Sequence, residues 1–583
     1  MLKTYLTNIH RPKRLSEIDW ENNLTVVNRI TISFSNLIDQ IFKLLSALQT
    51  YLLIHFFEAK SERDDHKIMA DLQTGDYDLN HGLQDHDEID AKIEEIVSSG
   101  EKFTDEEFDI ADDDNAGDEH ARVPDQTDDF SFIGDGHEAC DIAQGGLGDC
   151  WFLSALSSLA QDLPEDAPLR VKDIAVQRVL QPEFNNSEEA REAGIFKFKF
   201  FRLGEWIDVI IDDDLPTRKR ARPSDTGEWW VPLVEKAYAK FSGSYEKIQG
   251  GNTCWALQEL SGGITVELKN LSKGNAQQAA ENAAARGISL FKVFYHIQNR
   301  ALICTSNLGD GGNDVITNGL VHGHAYSLLR IDYVMKNDGE TVKLVKIRNP
   351  WAQTEWTGEW SDHCPNWEEV SDEEKERIDF AVEDDGGFYM NFEDWIGEFE
   401  MFTICMLPRL DPDDEEVASD DEARARDRRV IGTFVPGESS PVDVQELQSS
   451  FNEPSMHVQA QLKVDPLYGK PTRFVWIQFL LDSKLKESRY IMFNLYEADD
   501  DTPEDQKLSK REIRSLKKVN PILPGGQDGY VIDYYRHNGF MFSLDAPKRY
   551  IIVGTTATPE ASEEPCKFMI RTVGPQMELA HLE

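Results

Sequence analysis

Gln144–Ala155 reads QGGLGDCWFLSA. Three glycines crowd a turn, an aspartate follows, then a cysteine, then an apolar run. The spacing predicts a loop that tightens onto a helix N-terminus, with Asp149 near the cap and Cys150 in the first turn. There the helix dipole lowers a thiol's pKa and makes it nucleophilic. Read alone, such a cysteine is more commonly a small hydrophobe that opens a core helix. Residues elsewhere in the chain must decide.

Two downstream stretches do. Gly323–Ser327, GHAYS, opens a strand pattern, and Asn349-Pro350-Trp351 closes the next one. A nucleophilic thiol needs a base within hydrogen-bond reach, and that base needs a third group to hold its tautomer and ring plane. Cysteine in a helix, then histidine, then asparagine far downstream is the papain-like order. His324 is therefore the candidate base and Asn349 the candidate orienting group. His322, two residues earlier, competes for the base role, and Trp351 is placed either in the core or over the His–Asn pair.

QGGLGDCWFLSALSSLA, GHAYSLLRI and KIRNPWAQTEWTGEW resemble three signature blocks of the calpains, calcium-dependent cytoplasmic cysteine proteases. EKAYAKFSGSYE, Glu235–Glu246, resembles a fourth. The resemblance implies that Cys150 is the nucleophile, His324 the base and acid, and Asn349 the orienting residue. It implies that Gln144 and the Cys150 N–H form the oxyanion hole and that Trp351 shields the His–Asn pair. The implied activity is limited proteolysis of protein substrates through a thioester acyl-enzyme. It also implies two Ca²⁺ sites: Asp141 and Glu228 with backbone oxygens near Gly134 and Gly136, and then Glu355, Asp362 and Asp385. Two departures bear on them. Gly387 and Ala139 stand where calpains often carry an acidic residue and an arginine that link the calcium sites. Ala352 stands where a glycine usually follows the tryptophan. An alternative of another class is a calpain-like scaffold or membrane-associated adaptor without catalysis. A transglutaminase-like thiol enzyme would carry Asp rather than Asn as third member.

The 583 residues carry a net charge of −47, which argues against non-specific nucleic-acid binding. Seven scattered cysteines suggest neither a disulfide framework nor a CxxC zinc site, and reduced intracellular thiols are the simplest account. The N-terminus lacks the pattern of a signal peptide, so the expected location is the cytoplasm.

Length predicts several domains. Residues 1–60 hold an amphipathic helical stripe from Val26 to Phe57, and 61–129 read as an acidic disordered linker. The expected fold is α+β. It consists of a papain-like core with a cysteine lobe at 130–255 and a His/Asn lobe at 256–408, a charged linker at 409–429, and an antiparallel β-sandwich at 430–578. The sandwich resembles calpain domain III. With no penta-EF-hand domain after it, the resemblance is to the atypical calpains, and no small regulatory subunit is expected. Acidic membrane lipids are a candidate partner, through the sandwich or the N-terminal helix.

Overall fold

In the computed structural model, the described residues are 86–110, 119–127, 130–134, 138–161, 171–202, 205–223, 227–269, 289–307, 318–407, 426–434, 458–464, 472–481, 490–503, 506, 508–519, 537–557, 566–574 and 577–582. All belong to the compact unit that begins at Asp76. The expected N-terminal stripe and Gly136 lie outside the described residues.

The acidic stretch assigned to a disordered linker folds in part, which corrects the reading of 61–129. Helix α1, His86–Ser99, turns Ile93 inward. Its Asp90 pairs with the buried Lys197. Asp105 binds Lys240 at 2.7 Å, Arg122 binds Asp213, and Val123 and Ile110 enter the first lobe's core. The carboxylates there are ion-pair partners for lysines on the hairpin and the helix behind it.

Helix α2, Cys150–Leu159, is buried at every position after Cys150, as an apolar helix at the centre of a lobe must be. Strands β1, Ile195–Arg202, and β2, Glu205–Asp212, form an antiparallel hairpin, with Phe196, Phe198 and Phe200 in the core beside α2. Helices α3, Trp230–Ser242, and α4, Thr253–Ser261, complete this lobe. Gly251 carries no Cβ because the Trp151 ring fills that space. A Cβ there would lie 2.3 Å from the indole. Gly251→Ala is expected to lower stability by about 1–3 kcal/mol through overpacking, read as a lower denaturant midpoint at unchanged slope.

The lobe boundary falls at Gly262–Gly263 rather than at 255/256, because α4 packs on α2 and the second sheet starts just beyond it. That sheet contains β3 (Ile264–Lys269), β4 (Ala301–Asn307), β5 (His324–Met335), β6 (Thr341–Arg348), β7 (Gly387–Asn391) and β8 (Met401–Met406), in the order β3-β8-β4-β5-β6-β7. All its pairings are antiparallel. The backbone of α2 lies against it: Ser327 Oγ donates to Ser154 O at 2.9 Å, and the Ile303 N–H donates to Ser158 Oγ at 3.1 Å.

The C-terminal part begins with strand β9, Arg426–Phe434, inside the segment assigned to the charged linker. It continues with β10 (Val458–Val464), β11 (Thr472–Leu481), β12 (Tyr490–Glu497), β13 (Lys517–Val519), β14 (His537–Asp545), β15 (Lys548–Ala557), β16 (Cys566–Gly574) and β17 (Met577–Leu582). These make two antiparallel sheets, β9-β16-β11-β14 and β13-β12-β15-β10-β17, and side chains of both share one core. Trp476 and Met541 belong instead to the core of the second lobe. The buried Arg571 donates to Gly262 O at 2.6 Å and Gly263 O at 3.4 Å, and Gln478 donates to Gln258 Oε1 at 3.0 Å. The C-terminal sheets are thus bonded to the boundary between the lobes.

Candidate active site

The loop before α2 lies flat on residues 219–222. The N–H groups of Gly146 and Leu147 donate to Lys219 O, and a Cβ on Gly145 would stand 1.9 Å from Arg220 O. Only glycine permits that approach. Cys150 follows at the first position of α2, and its sulfur receives the N–H of Ala325 from the second lobe. Asp149 occupies the N-cap position but its side chain caps nothing. It turns inward to Gln144 and Glu235.

His324 and Asn349 meet at the adjoining ends of β5 and β6. Nε2 of His324 lies 2.7 Å from Asn349 Oδ1, and both side chains are buried. Asn349 Nδ2 donates to the carbonyls of Gln353 at 2.8 Å and Thr354 at 3.0 Å, which fixes the amide so that Oδ1 faces the ring. Oδ1 also accepts the Trp351 N–H at 3.0 Å. An acceptor at Nε2 requires the tautomer with its hydrogen there, leaving a lone pair on Nδ1. Nδ1 is buried and has no hydrogen-bond partner among the described residues. The Trp351 ring lies 4.7 Å from the imidazole, centroid to centroid. His322 does not share the pair with Asn349.

Burial dominates the protonation of both reacting groups. It pushes the Cys150 thiol up to about 11, with the Ala325 N–H opposing and Asp149 reinforcing the rise. It lowers His324 to about 4, against the hydrogen bond His324 donates to Asn349. At neutral pH the pair is therefore thiol and neutral imidazole.

Gln144 brings the lobes together here, its backbone N–H donating to Pro350 O at 2.8 Å. Its Nε2 donates to Leu147 O at 2.7 Å, and Oε1 is buried and meets no donor among the described residues.

The expected metal ligands fall in two acidic loops. In the first, Glu228 accepts the Gly134 N–H, and Asp141 accepts the Glu138 N–H at 2.8 Å and Trp230 Nε1 at 3.3 Å. Burial, with Glu228 nearby, raises Asp141 to about 6. In the second, Glu355 accepts the Gly386 N–H at 2.9 Å, Asp362 the Glu383 N–H at 3.4 Å and Asp385 the Gly387 N–H at 2.8 Å. Burial followed by neighbouring carboxylates raises Glu355 to about 7 and Asp362 to about 6. Among the described residues no three His, Cys, Asp or Glu side chains converge as a metal cage. The donor chemistry nevertheless fits a hard cation: carboxylate and backbone oxygens with unneutralised like charge.

One residue at the site was not singled out from sequence. Arg348, buried and immediately before Asn349, donates from Nη2 to Cys140 O at 3.1 Å. Asp385 and Asp141 both act on its charge. A guanidinium from β6 therefore stands between the two acidic loops, next to the position that Ala139 leaves small. An arginine among the apolar positions of a strand was the available signal.

The profile of the calpain family cysteine proteases matches residues 103–406. Calpain-A of Drosophila melanogaster is 34% identical, covering 53% of this chain and 35% of that protein. Calpain-5 of Mus musculus is 36% identical, covering 49% and 45%. The Calpain-2 catalytic subunit of Homo sapiens is 37% identical, covering 48% and 37%. The chain thus spans less than half the length of each of these relatives. Among solved structures, the cysteine protease and lectin-like domains of Cwp84 from Clostridium difficile align over 78% of this chain and 89% of that one. Their 11% identity and TM-score of 0.19 are too low to bear on the fold.

Proposed function

The chain belongs to the calpain family of cysteine proteases, and from that membership and the site's geometry we propose a calcium-dependent intracellular cysteine endopeptidase that performs limited proteolysis of protein substrates. The observation that carries the reading is the His324–Asn349 pair beneath Trp351, its Nδ1 unpartnered one residue from the N–H that meets the Cys150 sulfur.

As Sγ attacks the scissile carbonyl, its proton passes to His324 Nδ1, and Asn349 Oδ1 stabilises the imidazolium through Nε2–H. The Cys150 N–H and Gln144 Nε2 receive the oxyanion. His324 returns the proton to the leaving amine, and water then hydrolyses the thioester. Bound calcium would neutralise the acidic loops. Asp141 and Glu228 with the Gly134 loop would hold one ion, and Glu355, Asp362 and Asp385 the other. The second loop reaches the triad through the chain itself: Gly386 donates to Glu355, and its carbonyl accepts the Asn349 N–H at 2.8 Å.

Hydrolysis of an unstructured protein substrate with calcium and with chelator tests the activity. Equal rates remove the calcium requirement. The neutral thiol and imidazole favour one other reading, a non-catalytic calpain-like scaffold. Covalent labelling of Cys150 by a peptidyl epoxide in the presence of calcium excludes it, and no labelling establishes it.

The acidic loops also make calcium binding visible in stability. Folding raises the pKa of Asp141, Glu355 and Asp362. Their contribution is therefore fully favourable below the ordinary carboxylate range and is lost as pH rises through about 6 to 7. Calcium binds the ionised forms and offsets that loss. Calorimetry is expected to show calcium raising the thermal midpoint at pH 8, with a gain that shrinks toward pH 5 and is reduced by Asp362→Asn. An equal gain at both pH values would locate calcium elsewhere.

A further inference from the structure

We infer that the buried carboxyls of Asp149 and Glu235 share one proton, held on Glu235, and that this pair positions the Gln144 amide for the oxyanion. The inference rests on the peptidase reading of the same site.

Asp149 and Glu235 are both 0% exposed, and their carboxyls face each other in hydrogen-bond contact. Both oxygens of Glu235 are approached by the Ala221 N–H, at 2.9 and 3.1 Å. Among the described residues Asp149 Oδ2 meets no N–H or hydroxyl donor, so a hydrogen bond between the two carboxyls exists only if one is protonated. Burial raises both groups; Asp149, at the N-terminus of α2 with the Gln144 N–H toward it, is the one placed to keep the charge, which leaves the proton on Glu235. The charged or titratable groups acting on the pair are Arg220, which faces Glu235, and Cys150, adjacent to Asp149. The Arg220 guanidinium is engaged elsewhere, with Ala221 O and Gln126 Oε1.

The consequence runs through Gln144. One N–H of Nε2 goes to Leu147 O at 2.7 Å, and the other is held only weakly by Asp149 Oδ1 at 3.4 Å. Two acceptors on that side mean that only the nitrogen end of the amide can lie there. With the Glu235 proton drawing on Asp149's charge, the second N–H stays available to an oxyanion forming beside the Cys150 N–H. Without that proton, Asp149 becomes a full carboxylate next to the nucleophile. It would capture the N–H and oppose the developing negative charge.

Two variants separate this role from simple support of the fold. Glu235→Gln reproduces the protonated acid: its oxygen accepts the Ala221 N–H and its amide donates to Asp149. Glu235→Leu fills similar space and donates nothing. Glu235→Leu is expected to lower kcat about tenfold to a hundredfold with KM within about threefold, while Glu235→Gln keeps kcat within about threefold. Alkylation of Cys150 by iodoacetamide, which forms no oxyanion and follows the thiolate fraction, should stay within about twofold in Glu235→Gln and fall much less than kcat in Glu235→Leu. Binding of a peptide aldehyde, whose adduct carries one, should weaken with kcat. The proton itself is read without turnover, as an infrared carboxylic-acid band at neutral pH that is lost in Glu235→Gln. No turnover in the wild type overturns the peptidase reading. With the wild type active, three outcomes overturn this inference alone: no such band, equal loss in both variants, or alkylation falling in step with kcat.

Discussion

Replacing Cys150 with alanine is expected to lower peptide hydrolysis by at least about a thousandfold while leaving the thermal midpoint nearly unchanged. The two halves of that result have separate causes. The sulfur supplies the bond that forms with the substrate, and the oxyanion donors left behind cannot replace a nucleophile. Structurally the site tolerates the change. Cys150 is the one residue of α2 that is not fully buried, and alanine is the best helix former. Asn349→Ala would be a poorer probe. That side chain is buried and takes part in four hydrogen bonds, from His324 and Trp351 and to Gln353 and Thr354. Its loss would strand a ring nitrogen, the Trp351 N–H and two carbonyls, so activity and stability would fall together. A Cys150→Ala protein that unfolds at the wild-type midpoint yet keeps full activity would remove the thiol from the reaction.

Alkylation of Cys150 by iodoacetamide without calcium should rise about tenfold per pH unit between pH 7 and 10. With the thiol pushed up to about 11, the thiolate is roughly one part in ten thousand at pH 7 and one part in a hundred at pH 9. The sign follows from burial. Taking the site out of water disfavours both the thiolate and the imidazolium, so the proton stays on sulfur. A preformed thiolate–imidazolium pair would give a rate flat from about pH 5 to 8, and that profile would show that the charged pair already exists at rest. Mass spectrometry assigns the modified residue, since Cys140 is exposed but held at about 12 by burial and Glu138.

The candidate site residues could be singled out because their signal is local and ordered. A glycine-rich turn before Cys150, and His324 and Asn349 at strand ends, can be read from short windows. What was not legible depends on partners far away in the chain. Residues 86–127 looked like a solvated acidic linker because a window shows composition and not the lysines it meets. Asp90 finds Lys197, and Asp105 finds Lys240. Asp149 was placed as a cap from its position. Its side chain answers instead to Glu235, 86 residues on. The lobe boundary slipped by a few residues because Gly250–Gly251 and Gly262–Gly263 carry the same local signal. Only packing tells that the first pair accommodates Trp151 and the second turns the chain.

The bonds from Arg571 and Gln478 to the Gly262–Gly263 boundary bear on how the gene could be cut for expression. A fragment stopping at Leu407 would contain every residue of the triad and both acidic loops. It would also turn the carbonyls of Gly262 and Gly263 and the side chain of Gln258 toward water, and would remove Trp476 and Met541 from the second lobe's core. The half that carries the candidate site is therefore bonded to the C-terminal sheets across the domain boundary that the sequence suggests. The shortest piece that keeps its own seams closed runs through β17 to Leu582.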